Sequence, residues 1–237
     1  MGTDPSHAPS AHVPNGSVGA LWRYPVKSMM GEELNSTEVT GRGLLGDRRF
    51  AIVDRATGKI GGAKNPRKWG NFFDFRAAYV EPPQAGSEMP AVRITLPDGT
   101  VATNKQGDLT QILSRAFGRD VAFEEAPGET GSSAPTAEEY WPDMAGLDYR
   151  DTVTDFELPA GTFFDLAVVH LLTTGTIDRL RALYPEGRLR LGASGRTSSS
   201  RPGRRSGVSS RTTGSVTPSR SARMFAWRSP APVLGAS

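Results

Sequence analysis

Residues 17–28 read SVGALWRYPVKS, and this stretch decides how the fold begins. Its first half has the apolar and aromatic content of a β-strand, and Pro25 predicts a bend because proline disfavours helical backbone at the preceding residue. Residues 33–40 (ELNSTEVT) predict a second strand, and residues 48–54 (RRFAIVD) predict a third. Short strands separated by turns are typical of a small barrel or sandwich.

A hairpin and a helix follow these strands. Residues 92–96 and 100–103 flank Pro97-Asp98-Gly99, whose Asp-Gly pair readily supplies the positive φ angles of a tight turn. Asp108 predicts the cap of a helix that runs to about Phe117.

The second part of the chain begins after residues 126–139, whose Pro, Gly, Ser and Glu content predicts a linker. Residues 166–172 are mostly apolar and predict a strand, and residues 175–184 predict a helix with an apolar stripe. Thr173 is placed to cap that helix, which would leave backbone N–H groups free at the helix start. Such a helix start is a ready anion site.

The composition changes near residue 188. Of the 28 Lys and Arg residues, ten Arg lie in residues 188–237, which contain no Lys, Asp or Glu. Residues 1–187 hold the other 18 basic residues and all 25 acidic residues, so this part is net acidic. The net positive charge therefore comes from the tail and is no evidence for a nucleic-acid partner of the folded region. The absence of Cys excludes disulfides, a thiolate nucleophile and a Cys-based metal site in this chain.

Nothing in the sequence predicts a targeting or membrane segment. Residues 1–16 are polar and lack the apolar stretch of about 7–15 residues that a signal peptide needs. No run approaches the roughly 18 apolar residues of a membrane-spanning helix. We therefore expect a soluble, cytoplasmic protein that contacts neither membrane nor nucleic acid.

Three stretches carry a resemblance to a known family. They are YPVKS at residues 24–28 with GLLGDRRF at residues 43–50, EYWPD at residues 139–143, and LPAGTFFD at residues 158–165 with HLLTT at residues 170–174. The first stretch resembles the N-terminal β-barrel domain of MOSC-domain proteins. The last resembles the start of the MOSC domain itself.

The resemblance implies a mainly β fold with some helices, in the α+β class. It divides the chain into a disordered N-terminus (1–16), a MOSC N-terminal β-barrel domain (17–125), a linker (126–139), a truncated MOSC β-barrel domain (140–190) and a disordered tail (191–237).

The resemblance also implies a function. The family includes the mitochondrial amidoxime reducing component and bacterial proteins that reduce N-hydroxylated compounds. Such proteins carry a molybdenum cofactor whose pterin ends in a phosphate, and a cysteine late in the MOSC domain ligates the metal. An oxidoreductase of small N-oxygenated substrates, with electrons from a separate donor protein, is therefore implied. Because this chain has no Cys, its own activity stays open, and a non-catalytic carrier of the cofactor or of sulfur is the alternative.

A phosphate-bearing pterin needs fixed positive charge and many hydrogen-bond donors, and an arginine fork suits the phosphate especially well. The residues that match the family's cofactor-binding positions are Lys27, Ser28, Arg48, Thr173, Thr174 and Thr176. We place Lys27 and Arg48 first among them.

Each of these residues has a purely structural alternative. Lys27 could be an ordinary solvated lysine. Arg48 could pair with Asp47 or Asp54 on the surface of the barrel. The threonines cap a helix whatever the function.

Three further residues bear on the site. His170 follows an apolar run, so we expect a packed core histidine rather than a metal ligand. Asp165 is expected to accept hydrogen bonds from backbone N–H groups. Pyridoxal phosphate is a second cofactor associated with MOSC domains. The MOSC part offers no lysine for a Schiff base, because Lys105 is the last lysine of the chain.

The Arg-rich tail has three interpretations. It could be a disordered, RNA-binding segment, although it lacks the regularity of RS or RGG repeats. It could be a divergent half-domain that still folds, although it lacks alternating apolar runs. It could also be translated out of frame, which the genetic code tests. If each true codon takes the last base of one codon and the first two of the next, residues 191–200 (LGASGRTSSS) can read R-R-F-R-P-N-V-V-V.

We favour the shifted frame because R-R-F-R-P-N resembles a segment that follows Tyr-Pro-Glu-Gly in MOSC proteins, as it would here after residues 184–187. In the same frame residues 208–216 can read V-E-D-D-W-V-G, which resembles the later D-W-x-G motif of the family. The chain then lacks the metal-ligating cysteine and half of a domain. We expect exposed strand edges and apolar faces, and hence poor solubility.

Overall fold

The computed structural model describes residues 16–127, 134–146, 148, 150–187, 198–202 and 215–218. The strands are β1 (Gly16–Arg23), β2 (Glu32–Leu34), β3 (Ser36–Thr40), β4 (Gly43–Leu44), β5 (Phe50–Asp54), β6 (Arg76–Tyr79), β7 (Val92–Thr95), β8 (Val101–Thr103), β9 (Val121–Glu125), β10 (Thr136–Trp141), β11 (Thr152–Glu157), β12 (Leu171–Thr173), β13 (Ser198–Pro202) and β14 (Ser215–Pro218). The helices are α1 (Pro66–Trp69), a 3₁₀ turn (Phe72–Asp74), α2 (Leu109–Phe117) and α3 (Thr174–Leu183). The described chain is thus mainly β with few helices, which confirms the predicted α+β class.

The strands form several small sheets rather than one closed barrel within the described residues. Their orders are β12-β13-β1-β2, β10-β11, β14-β3-β4, β5-β9 and β6-β7-β8. Single-residue bridges such as Val26 to Phe50 and Met30 to Arg76 link neighbouring sheets. The ladders are short because the chain turns sharply between them, at Pro25 and at the positive φ angles of Ser28 and Arg48. The barrel predicted from the resemblance therefore differs from the observed arrangement.

The predicted hairpin is confirmed. Strands β7 and β8 pair antiparallel, and Gly99 adopts a φ of +86° in the turn between them. The Asp98 carboxylate accepts a hydrogen bond from the Thr100 N–H at 2.8 Å, which fixes the turn.

The predicted helix at residues 109–117 is also confirmed, but its start differs from the expectation. Asp108 occupies the N-cap position without a side-chain hydrogen bond to the helix. Leu109 and Leu113 face the core, and Gly118 ends the helix in the left-handed region at a φ of +63°.

The main hydrophobic core lies in the N-terminal part. Aromatic rings dominate its centre. The ring centroid of Phe72 lies 5.4 Å from that of Trp69 and 4.9 Å from that of Phe117, and the ring of Phe75 stacks on that of Phe117 with 4.4 Å between centroids. Such ring pairs stabilise beyond the apolar area they bury. The aliphatic residues around them come from β5, β7 and α2, among others, and include Ile52, Val92, Ile94 and Leu113.

A second, smaller core joins the two parts of the chain. Ile60 and Ala51 from the N-terminal part pack with Ala137, Leu158 and Phe163. The Ile60 N–H donates to the Thr136 carbonyl at 2.8 Å, so β10 starts inside the predicted linker at residues 126–139. Residues 128–133 of that linker lie outside the described residues. This core holds Leu158 and Phe163, which follow β11, against Ala51 of β5 and Ile60.

A partly buried ion-pair network reinforces the same junction. The Lys68 ammonium contacts Asp54 at 2.8 Å and Glu138 at 3.1 Å, and Lys59 reaches Glu138 at 3.4 Å and Asp155 at 2.7 Å. These hydrogen bonds from Lys68 and Lys59 lower the pKa of the Glu138 carboxyl, although its partial burial opposes them.

The predicted strand at residues 166–172 is mostly wrong. Only Leu171 and Leu172 of this run belong to a strand, β12. Leu166 is 83% exposed and Leu171 is 74% exposed. An apolar run becomes a strand only where a partner strand and a packed face are available, and residues 158–170 contain neither helix nor strand.

Two segments of the tail pair with the N-terminal strands. Strand β13 pairs antiparallel with β1 and parallel with β12, and β14 pairs parallel with β3. The sequence predicts disorder for residues 191–237, so the structure differs from the prediction at these two places. The rest of that range and residues 1–15 of the predicted disordered N-terminus lie outside the described residues. None of the described helices combines the length and hydropathy of a membrane-spanning segment.

Candidate functional site

A cavity of about 340 Å³ lies where the N-terminal part meets the segment after β11. Its polar wall is formed by Lys27, Ser28, Arg48, Lys64, Asp165 and His170. Its apolar wall includes Phe73, Phe163 and Phe164. A concave site with one apolar wall and a few convergent polar groups is typical of small-molecule binding.

Lys27 is brought to this cavity by the bend at Pro25. The Lys27 N–H donates to the Phe50 carbonyl at 2.8 Å, which ties the bend to the start of β5. The side chain is only 7% exposed, and its ammonium donates to the Phe163 carbonyl at 3.0 Å and to the Asp165 carboxylate. Burial lowers the pKa of Lys27 from its ordinary value, and the neighbouring carboxylate of Asp165 opposes that effect. Lys27 is therefore not an ordinary solvated lysine.

Arg48 lies beside Lys27 at the cavity. Its N–H donates to the Tyr24 carbonyl at 2.7 Å, and its guanidinium forms an ion pair with the buried Asp47. The guanidinium also lies over the rings of Tyr24, at 4.6 Å, and Phe164, at 5.5 Å. The pairing with Asp47 that the sequence left open as an alternative is thus observed. It fixes the guanidinium at the cavity wall.

Ser28 shapes the cavity through its backbone as well as its hydroxyl. It adopts a φ of +66°, an uncommon conformation for a residue with a Cβ. Its hydroxyl oxygen accepts a hydrogen bond from the Ala63 N–H at 3.1 Å. This bond holds residues 62–64 against the bend, so Lys64 lies at the same cavity as Lys27.

Lys64 and Phe73 are cavity residues that the sequence analysis missed. The sequence feature that could have indicated Lys64 is the pair Gly61-Gly62, which shortly precedes it. A Cβ at Gly61 would lie 3.0 Å from the Trp69 ring and 3.1 Å from the Phe72 ring, so any other residue would force these rings to shift by a few tenths of an ångström. Paired glycines next to large aromatic residues indicate such a close approach.

Asp165 and His170 differ from their predicted roles. Asp165 accepts from the side chain of Lys27 and lies 3.8 Å from the Lys64 ammonium, rather than serving as an acceptor for backbone N–H groups. His170 is exposed and lines the cavity, so the prediction of a core histidine is wrong. Both follow from the irregular backbone of residues 158–170, which does not bury the apolar run around them.

The three threonines lie at the start of α3, as predicted. The Thr173 hydroxyl oxygen accepts from the Thr176 N–H at 3.1 Å, so Thr173 is the N-cap. Thr173 and Thr176 are exposed and Thr174 is half-buried. In the part of the chain that the structure describes, none of the three is among the residues that line the cavity. The structure therefore brings together Lys27, Ser28 and Arg48, but not the threonines.

Cationic hydrogen-bond donors gather at the cavity. The three cations Lys27, Lys64 and Arg48 are paired with three carboxylates, those of Asp165, Asp47 and Glu139, the last at 3.4 Å from the Lys64 ammonium. The described residues do not form a metal site. Among them no three His, Cys, Asp or Glu side chains lie close enough together to bind a metal ion, and the whole sequence contains no Cys. The arrangement can hold an anionic group by hydrogen bonds and charge.

Comparison with known proteins agrees with the N-terminal half of the site. Residues 15–108 match the family model of the MOSC N-terminal beta barrel domain. No curated protein and no solved structure matches the chain. The matched range includes Lys27, Ser28, Arg48 and Lys64, which form most of the polar wall of the cavity. The part of the chain that contributes most of this wall is therefore similar to the MOSC N-terminal beta barrel domain, a domain associated with molybdenum-cofactor-binding proteins.

Proposed function

We propose that the cavity binds the phosphate-bearing pterin of a molybdenum cofactor. The observation that carries this proposal is the buried ammonium of Lys27, which faces a cavity together with two more cations, inside the range that matches the MOSC N-terminal domain. A buried cation needs an anion or several acceptors to compensate it, and here the Asp165 carboxylate and the Phe163 carbonyl do so. A phosphate group offers the same kind of negatively charged acceptor.

The residues present fit the phosphate end of such a cofactor. Lys27 and Lys64 supply point charges, and Arg48 supplies a planar guanidinium that is already oriented by Asp47. The Ser28 hydroxyl is a further possible donor at the same wall. Phe73, Phe163 and Phe164 offer apolar surface to a flat ring system.

The residues present do not fit the metal end. Thiolates are the protein ligands expected for a soft or borderline metal centre, and this chain contains no Cys. We therefore assign binding and orientation of the pterin phosphate to this chain, and no catalytic step. Oxygen-atom chemistry is what the cofactor supplies when its metal is ligated. Reduction of N-oxygenated small molecules, with electrons from a separate cytoplasmic donor protein, is the activity we propose for the protein with a complete second domain.

A non-catalytic cofactor carrier is the second candidate. The absence of Cys favours it for this chain, because a carrier needs to hold the pterin without completing the metal's ligands. Cofactor bound in stoichiometric amounts without any reductase turnover would support the carrier. Nucleic-acid binding through the Arg-rich tail is not part of the proposal.

The experiment is to produce the chain in a bacterial host that makes the molybdenum cofactor and in the same host with pterin synthesis blocked. The bound pterin is oxidised to its fluorescent derivative and measured per mole of protein. We expect clear pterin fluorescence only from the competent host. Equal fluorescence from both hosts would contradict the proposal.

The same extracts distinguish pyridoxal phosphate. This compound also carries a phosphate, and Lys27 and Lys64 place two amines at the cavity although neither belongs to the MOSC part. Pyridoxal phosphate in place of pterin in the extracts would replace the proposed ligand.

A further inference from the structure

The Asp165 carboxylate lies among the cations of the cavity. One of its oxygens contacts the buried Lys27 ammonium, and the other lies 3.8 Å from the Lys64 ammonium. An anionic ligand of the cavity would seek the same two ammonium groups. Asp165 therefore occupies the place in the charge pattern that a bound anion would take.

The backbone around Asp165 allows its side chain to leave. Phe163 and Phe164 are buried and anchor the segment, whereas the side chain of Asp165 is 39% exposed and the following Leu166 faces solvent. Residues 158–170 contain neither helix nor strand, so no ladder hydrogen bonds depend on the position of Asp165. Rotation of the Asp165 side chain removes its contacts with both lysines, while Lys27 keeps its hydrogen bond to the Phe163 carbonyl and Lys64 keeps Glu139 at 3.4 Å.

We propose that Asp165 is an internal competitor for the anionic ligand, displaced from Lys27 and Lys64 when a phosphate or phosphate ester binds. This inference rests on the proposed function, because it concerns the same phosphate cavity. It assigns to Asp165 a role in selecting the charge of the anionic ligand. A monoanion that replaces Asp165 only exchanges one negative charge for another. A dianionic phosphate brings two charges to the two ammonium groups and to Arg48, so Asp165 favours dianions over monoanions.

The test is calorimetric titration of the full chain with inorganic phosphate at constant ionic strength. Asp165→Asn keeps the shape of the side chain but removes its charge. We expect it to bind phosphate about tenfold more tightly than the wild type, the factor that corresponds to one charge-assisted hydrogen bond. In Asp165→Asn, Lys27 lacks the carboxylate that favours its protonated form, so phosphate binding to this variant can be coupled to proton uptake by Lys27. Repeating the titration in two buffers of different ionisation enthalpy counts the protons taken up on binding.

Asp155→Asn is the matched control. The Asp155 carboxylate lies 2.7 Å from the Lys59 ammonium, outside the cavity, and is also partly exposed. Asp155→Asn therefore changes the net charge by the same amount as Asp165→Asn. Its phosphate affinity should equal that of the wild type. A wild type that binds phosphate while Asp165→Asn binds it no more tightly would overturn the competitor role and leave the phosphate cavity standing. If neither protein binds phosphate, the proposed function itself fails.

Discussion

A Lys27→Met protein is expected to retain at most about one tenth of the pterin that the wild type retains, because it loses charge-assisted hydrogen bonds worth roughly 1.5–3 kcal/mol each. Lys27 is the most buried cation of the cavity, and its ammonium is held by the Phe163 carbonyl and Asp165. A buried charge is screened little by solvent, so its contact with a phosphate is the strongest that the cavity offers.

The same substitution should leave the fold intact. Methionine has a similar length and a flexible apolar side chain that fills the space of the lysine stem. Asp165 is partly exposed, so it can turn to solvent after the ammonium is removed. We expect an unchanged or slightly higher midpoint of urea unfolding, because no charge then remains buried at position 27.

Lys105→Met provides the control for this result. Lys105 pairs with Glu88 at 2.9 Å on the surface, so the substitution removes the same charge without touching the cavity. Its pterin content should match that of the wild type. A Lys27→Met protein with wild-type pterin content would contradict the proposed role of the buried ammonium.

Replacing Phe72 with alanine should produce the largest loss of stability, about 3–5 kcal/mol in the free energy of unfolding. Phe72 is 0% exposed and contacts the rings of Trp69 and Phe117 at the centre of the main core. The aromatic rings around it belong to separate elements, so the cavity left by its removal cannot close without moving several of them. Urea unfolding followed by tryptophan fluorescence measures the change.

Phe73→Ala is the matched control, one residue along the chain. Phe73 is 52% exposed, so its removal should change the unfolding free energy little. It lines the cavity, and the variant therefore also reports on ligand contacts without a loss of fold. Equal destabilisation by both substitutions would show that the core is not centred on Phe72.

Local signals in the sequence predict those parts of the fold that depend on local physics. The Asp98-Gly99 turn, the helix that ends at Phe117 and the Thr173 cap each depend on residues within a few positions of one another. Lys27 and Arg48 were found by resemblance, and the structure places them at one cavity.

Contacts between distant segments could not be predicted in the same way. Lys27 meets Asp165 across 138 positions of sequence, and nothing near either residue indicates the other. Lys64 arrives through the close approach that Gly61 permits, and His170 is exposed because the apolar run around it finds no packed face. These features depend on tertiary packing, which overrides local propensity.

The tail presents the clearest conflict between sequence and structure. Residues 198–200 pair with β1 on one side and β12 on the other, so they lie inside the sheet. Their sequence, Ser-Ser-Ser, has little preference for an interior strand, whereas the shifted frame supplies V-V-V at this position, and valine is a strong strand former. The pairing thus supports our proposal that the site's second half is interrupted by a change of frame near residue 188.

The most direct measurement is the DNA sequence of the gene across the codons for residues 185–191, continued to the first stop codon of the shifted frame. We predict a one-base difference that restores R-R-F-R-P-N and leads to a later cysteine, so that the proposed cofactor cavity of Lys27 and Arg48 is completed by a metal ligand. A DNA sequence that confirms the present chain, base for base, would contradict the interrupted site, and the catalytic part of the proposed function would then be withdrawn for this protein.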